Sequence, residues 1–140
     1  MPFSRQFFLV AFSIGFAMSA GCNSGRYPVT GVVRYADGTP VDAGTVIAEA
    51  SVDGEIVGLQ GSIEKAGVYQ LGGVTAGDGA FPGKYRIAVM SASLGDSELA
   101  AGKTPSVDGK FSRFETSGIT IEVKPEKNKL DIEVSKPKKK

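Results

Sequence analysis

The chain contains no histidine, no tryptophan and one cysteine. Without histidine a Ser-His-Asp triad cannot be built, nor a Cys-His nucleophile pair, and the histidine-containing zinc sets are closed. One cysteine cannot make an intramolecular disulfide. The Cys…Trp…Cys core of a true immunoglobulin domain is likewise out of reach. Charge of one sign is also missing: 16 Lys and Arg face 15 Asp and Glu, a formal +1. A nucleic-acid partner would call for a clustered basic face, so none is expected. No cofactor and no metal site are expected either. The Asp-Gly pairs at Asp37, Asp53, Asp78 and Asp108 read as turn chemistry, because calcium needs six to eight grouped oxygens. The stretch GDGAFPGK (77–84) fails as a phosphate loop. It has five residues between Gly77 and Gly83, and Tyr85 follows Lys84. The motif requires four, with Ser or Thr after the lysine.

What is present begins with an address. Residues 1–6 (MPFSRQ) carry Arg5, and residues 7–20 (FFLVAFSIGFAMSA) are apolar and uncharged. A membrane-spanning helix needs about 20 such residues, so this run suits a helical signal peptide. Small residues Ser19, Ala20 and Gly21 then lead to Cys22. The stretch resembles a bacterial lipoprotein signal, whose lipobox reads Leu-(Ala/Ser)-(Gly/Ala)-Cys. Ala20, Gly21 and Cys22 match, and Ser19 stands where Leu is usual. The resemblance implies that residues 1–21 are removed and that the Cys22 thiol carries a diacylglyceryl group. The alternative is an ordinary signal peptide cut near Ala20, leaving Cys22 a free thiol. Each buried methylene contributes ~0.8 kcal/mol, and stable anchoring takes two acyl chains. Residues 22–28 are then expected to be the lipidated cysteine and a flexible Gly- and Pro-containing spacer.

From Val29 the pattern alternates with a period of two. VTGVVRY (29–35), TVIAEAS (45–51), EIVGLQGSI (55–63), VYQL (68–71) and KYRIAVMSA (84–92) read as strands separated by Gly, Asp and Pro turns. ITIEV (119–123) and LDIEV (130–134), joined by KPEKNK, read as a closing antiparallel hairpin. Its expected inward residues are Ile119, Ile121, Val123, Leu130, Ile132 and Val134. Seven short strands predict an all-β, antiparallel, Ig-like or transthyretin-like sandwich over 29–135. Its remaining core candidates are Val33, Tyr35, Val46, Tyr69, Leu71, Tyr85, Ile87 and Val89. Tyr85, after Pro82 and Gly83, is expected to bury its ring and bond its hydroxyl to nearby backbone.

Residues 93–117 form a long connection, with one helical turn expected near 96–101 and Ser93 or Asp96 as its cap. Phe111 and Phe114 lie in it with no strand pattern to demand them. They either dock the loop on the sandwich or form a recognition patch. The basic end, 136–140, reads as a solvated tail or a contact for anionic groups.

Several segments resemble the carboxypeptidase regulatory-like domain, a transthyretin-like β-sandwich. The matching residues are Gly31, Val32, Asp37, Gly38, Pro40, Val41, Ala43, Gly44 and Val46, then Gly67, Tyr69 and Leu71, then Pro82, Gly83, Lys84 and Tyr85. The tail is similar to that of small secreted lipoproteins of planctomycete-type bacteria, through Lys110, Thr116, Ser117, Gly118, Ile119, Thr120 and Val123, with Phe111 in place of Tyr. These are turn and packing residues. The resemblance implies an accessory domain without a catalytic partner, and fold alone licenses no activity. The sequence therefore leads to an exported, membrane-anchored, non-catalytic binding or structural module of the cell envelope. Its expected partners are the membrane through Cys22 and an envelope protein or polysaccharide. A carbohydrate- or polymer-binding module is the alternative, and a small-molecule enzyme on this scaffold a more distant one.

Overall fold

The computed structural model describes residues 25–139. Cys22 and the preceding Ser19, Ala20 and Gly21, with the whole expected signal segment, lie outside the described residues.

Eight strands and two short α-helices follow in order: β1 (Val29–Tyr35), β2 (Gly44–Val52), β3 (Glu55–Ile63), β4 (Val68–Gln70), β5 (Gly83–Met90), α1 (Asp96–Ala100), α2 (Phe114–Ser117), β6 (Ile119–Val123), β7 (Asn128–Lys129) and β8 (Ile132–Val134), with single 3-10 turns at Lys65–Gly67 and Gly109–Ser112. They make two sheets. One has the order β3-β2-β5-β6; the other runs β4-β1-β7, with β8 also paired to β1. The architecture is all-β and two-layered, as expected. Its strand count is eight rather than seven.

Local chemistry sets the turns. Val52 pairs with Glu55, so β2 and β3 are joined by Asp53 and Gly54 alone. Both have positive φ, 52° and 83°, the geometry that matches the twist of a two-residue hairpin. In the Ala36–Pro40 turn, Asp37 Oδ1 accepts from the Thr39 amide at 2.9 Å. The helical turn α1 sits where expected, but its cap is Gly95, whose amide donates to Glu98 Oε2 at 3.0 Å. Neither Ser93 nor Asp96 takes that place, because Glu98 reaches back from the third helical position and satisfies the free amide.

The inward faces meet in one core. Val33, Val46, Tyr69, Leu71, Tyr85, Ile87, Val89, Ile132 and Val134 are buried, joined by Val29, Val41, Leu59, Val107, Phe111 and Val123. Each such aliphatic side chain contributes about 1.5–3 kcal/mol when fully buried. Tyr35, Ile119, Ile121 and Leu130 are only partly buried against it. Tyr85 behaves as its position suggests: the ring is buried and the hydroxyl donates to the Phe81 carbonyl at 3.0 Å.

The expected closing hairpin does not form. β6 pairs with β5 in one sheet, whereas β8 pairs with β1, in parallel, in the other. Asn128 makes the crossing: its Oδ1 accepts from the Lys124 amide at 2.9 Å, and its Nδ2 donates to the Lys124 and Glu126 carbonyls at 3.0 and 2.7 Å. Its own amide donates to the Pro28 carbonyl at 2.8 Å, which starts the parallel run along β1. Asp131 interrupts that run. Its carboxylate accepts from the Val32 amide at 3.1 Å and from Arg34 Nη2 at 3.3 Å. The physical reason is that both inner faces bury against each other. Alternation in 119–123 and 130–134 fixes which side chains point inward, and that is satisfied equally by either sheet.

The registers also sort the connections between two ends. Tyr27 bridges Ala80, Gly83 pairs with Val123, and Val29 pairs with Asn128. The Asp53–Gly54 turn lies level with the start of β5, since Glu49 pairs with Arg86 and both strands run on in that direction. Residues 25–28, the last residues of the 72–82 connection (80–82), that turn and the 124–127 connection therefore share one end, while Gly72 bridges Gln60 in the middle of β3. The 36–40 turn, the end of β5 and the C-terminal residues after Val134 share the other. Lys136 Nζ lies 4.9 Å from the Tyr35 ring centre at that second end.

Candidate functional site

The long connection 93–117 is fastened at several points. The Val107 amide donates to Ser91 Oγ at 2.9 Å, the Tyr35 hydroxyl to the Ser106 carbonyl at 2.8 Å, and the Asp108 amide to the Ser135 carbonyl at 2.8 Å. Ser117 Oγ donates to the carbonyl of Ile87, the last residue of β5 that β6 pairs. These ties separate the two phenylalanines. Phe111 is buried in the core, with Lys110 Nζ 4.7 Å from its ring centre. Phe114 stays half-buried on the outer face of the β3-β2-β5-β6 sheet. The structure brings Phe114 to a surface and Phe111 to the interior.

Arg86 holds Phe114 in place. It projects from the outer face of β5 opposite Glu49 of β2, bonds the Glu49 carboxylate, and places its guanidinium carbon 5.6 Å from the Phe114 ring centre. A cation over an aromatic face at such a distance adds roughly 0.5–1 kcal/mol at an exposed site. Glu115 Oε1 lies 3.9 Å from Arg86 Nη1. Charges that alternation alone marks as solvent-facing thus form a cross-strand pair that positions an aromatic ring.

Beside that ring runs a shallow groove of about 320 Å³, lined by Ile47, Glu49, Gly58, Gln60 and Phe114. A Cβ on Gly58 would meet nothing within 4 Å, so the glycine leaves the floor low. A second, more polar recess of about 380 Å³ adjoins it and shares Gln60 and Gly73. Thr45, Ser62, Glu64, Gln70 and Thr75 line it. The side chains of Gln60, Ser62 and Gln70 are exposed and make no hydrogen bond with other described residues. Together the recesses offer amides and hydroxyls on one side and an aromatic edge on the other. Sequence reasoning missed the polar members, because an exposed Gln or Ser on a strand is indistinguishable from an ordinary solvated face.

The Gly-rich connection 72–82 walls the polar recess. Asp78 closes it. Its carboxylate accepts from the amides of Gly73, Val74 and Thr75 at 2.7, 3.3 and 3.2 Å, and from Arg26 Nη1 at 3.2 Å. The Gly73 amide bond, with help from the other amides and Arg26, holds the Asp78 carboxyl below its ordinary pKa. Gly77 and Gly79 adopt positive φ of 74° and 84° on either side of it, which glycine does without strain. Both Asp78 oxygens are committed to the loop itself. Among the described residues no three His, Cys, Asp or Glu side chains gather as metal ligands.

Arg26 draws the first described residues into the same assembly. Its guanidinium carbon lies 4.7 Å from the Phe81 ring centre, and Tyr27 exchanges both backbone hydrogen bonds with Ala80, at 2.8 and 2.9 Å. Residues 25–28 are the part of the expected spacer over 22–28 that lies within the described residues. They are docked, because Arg26 finds both a carboxylate and an aromatic face. Among the described residues no helix is long and apolar enough to cross a membrane.

No protein-family model matches the chain, and no curated protein or solved structure matches it.

Proposed function

We propose that the chain is an exported, lipid-anchored, non-catalytic β-sandwich that serves as a binding or structural module at the bacterial cell envelope. The observation that carries this reading is the position of Cys22. It follows the uncharged run 7–20 and the small residues Ser19, Ala20 and Gly21, and stands three residues before Gly25, where the described body begins. Two or more acyl chains at that point hold a protein on a bilayer. The body is taken as a carboxypeptidase regulatory-like, transthyretin-like domain on its turn and packing residues, several of which have visible work. Gly31 lies against the Leu130 carbonyl, Val41 is buried, and the Tyr85 hydroxyl bonds the Phe81 carbonyl at 3.0 Å. The partners are the membrane, through Cys22, and an envelope protein or polysaccharide. Labelling cells with a radioactive fatty acid tests the anchor. Label should enter the native protein and be lost from a Cys22→Ala variant. Retention of label in that variant would refute it.

A second reading, a carbohydrate- or polymer-binding module, is favoured by the outer-face groove. Amides and hydroxyls suit the paired donors and acceptors of a sugar, and the Phe114 edge suits its apolar face. A glycan array probed with the native protein and a Phe114→Ala variant tests it. Binding that is lost in the variant supports it, and absence of any bound glycan contradicts it.

A further inference from the structure

We propose that the open edge of β3 is a self-association site, at which two copies of the chain pair β3 against β3, antiparallel about a two-fold axis at Val57. The proposal goes beyond both readings above and needs neither the lipid nor a glycan.

The bonding of β3 itself leaves the edge open. Gln60 exchanges both backbone hydrogen bonds with Gly72, at 2.9 and 3.0 Å, on the side of β3 that faces away from β2. Backbone groups turn to alternate sides along a strand, so the amides and carbonyls of Ile56 and Gly58 point to that same side. No described residue bonds them there. The rest of the connection does not cover them, because Val74, Thr75, Ala76 and Gly77 line one recess with Ser62 and Glu64, beyond Gln60. Residues 55–59 are thus left open between the Asp53–Gly54 turn and the Gly72 bridge.

Sheet edges are normally closed by shortness, Lys, Pro or a bulge. β3 has none of these. It is 9 residues long, pairs β2 without a bulge, and carries its one charge, Glu55, at its end. The opposite edge, β6, is 5 residues long, exposes Glu122 and runs straight into Lys124 and Pro125.

The occupant is a second copy, because the open stretch is complementary to itself. With Val57 on the axis, Ile56 of each copy stands opposite Gly58 of the other, and each such pair exchanges both hydrogen bonds. The open residues of one copy cover those of the other and stop where the Gly72 bridge begins. On the outer face Ile56 is 72% exposed, and a Cβ on Gly58 would meet nothing within 4 Å. The large side chain of one copy fills the space that the glycine of the other leaves. On the inner face Val57, half-buried at the rim of the core, meets its own counterpart. Glu55 faces Leu59, so no like charges are opposed. A foreign strand could satisfy the same backbone groups, but β3 already holds the large residue and the gap in the order that the two-fold requires.

Sedimentation equilibrium of the full chain in detergent tests the pairing. The native chain should reach the mass of two chains as concentration rises. Ile56→Lys, a change at an exposed position that should leave the circular dichroism spectrum unaltered, should hold the mass at one chain. Thr120→Lys, on the β6 edge, should still pair. A native chain that stays single at every concentration, a pair that survives Ile56→Lys, or one lost equally with Thr120→Lys overturns the proposal. Cross-linking reads the register. The two Val57 residues form a non-hydrogen-bonded pair with Cα atoms about 4.5 Å apart, within disulfide reach. Oxidation of a Val57→Cys variant should give a covalent pair in excess of any that the native chain forms through Cys22, and a Ser62→Cys variant should give no excess. Equal cross-linking at the two positions, or none at Val57→Cys, overturns the axis at Val57.

Discussion

Arg26 and Asp78 are 52 residues apart and meet at 3.2 Å. The contact ties the segment that follows Cys22 to the loop that walls the polar recess. One carboxylate thus organises three backbone amides and one guanidinium. Because these donors favour the ionised form, the Asp78 carboxyl titrates below its ordinary value. The sign follows: the stabilisation is present above the unfolded aspartate pKa, near ~3.9, and is lost as pH falls through the lower folded value. In an NMR pH titration, the amide shifts of Gly73, Val74 and Thr75 should move together with a midpoint below that of a free aspartate. In an Asp78→Asn variant this shared titration should vanish.

Tyr69 and Leu130 set an alkaline limit. The buried Tyr69 hydroxyl donates to the Leu130 carbonyl at 2.6 Å. Burial, with the nearby Asp131 charge second, raises the phenol pKa well above 10. A raised phenol pKa means the unfolded chain ionises first, so stability should fall as pH rises above about 10. Tyr69→Phe should flatten that fall. At neutral pH it should cost about 1–2 kcal/mol, since the carbonyl loses its buried donor. Urea unfolding at pH 7 and pH 10.5, compared between native and variant, checks both parts.

Two glycines should respond oppositely to the same change. A Cβ on Gly31 would run into the Leu130 carbonyl, which is backbone and cannot swing aside. Gly31→Ala should destabilise by about 1–3 kcal/mol. Gly58 faces open space at the floor of the groove, so Gly58→Ala should be neutral or stabilising by up to ~1 kcal/mol. Thermal melts of the two variants side by side test the packing account. If Gly58→Ala leaves stability intact but weakens glycan binding on the array, the groove reading gains.

The basic tail offers a further check on the anchor. Lys136 packs over Tyr35 at the end away from residues 25–28. Removing residues 137–140 should leave membrane retention unchanged at low and at physiological salt. A salt-dependent loss of retention would mean that the basic tail, and not the lipid on Cys22 alone, holds the chain on anionic headgroups.

Much of the fold was legible because turns and alternation are local. The strands over 29–35, 55–63 and 119–123 coincide with their sequence patterns, and Asp53-Gly54 announces its hairpin by residue type. What alternation could not reveal is which sheet receives a strand. Ile132 and Val134 point inward as read, yet beside β1 rather than β6. The groove was half legible. Phe114 stood out as a loop phenylalanine, but it shared that signal with Phe111, which the core absorbs. The Arg86–Glu49 pairing that separates the two depends on cross-strand register, which no single strand carries. The docking of Arg26 was hidden for the same reason: Asp78 reads as a turn residue until the chain is folded.

The central claim is the lipid on Cys22, and the most direct measurement is the intact mass of the mature protein extracted from the membrane fraction. The account predicts a chain that begins at Cys22 and carries a diacylglyceryl group. A chain that begins elsewhere, or one whose Cys22 thiol is free, would contradict it.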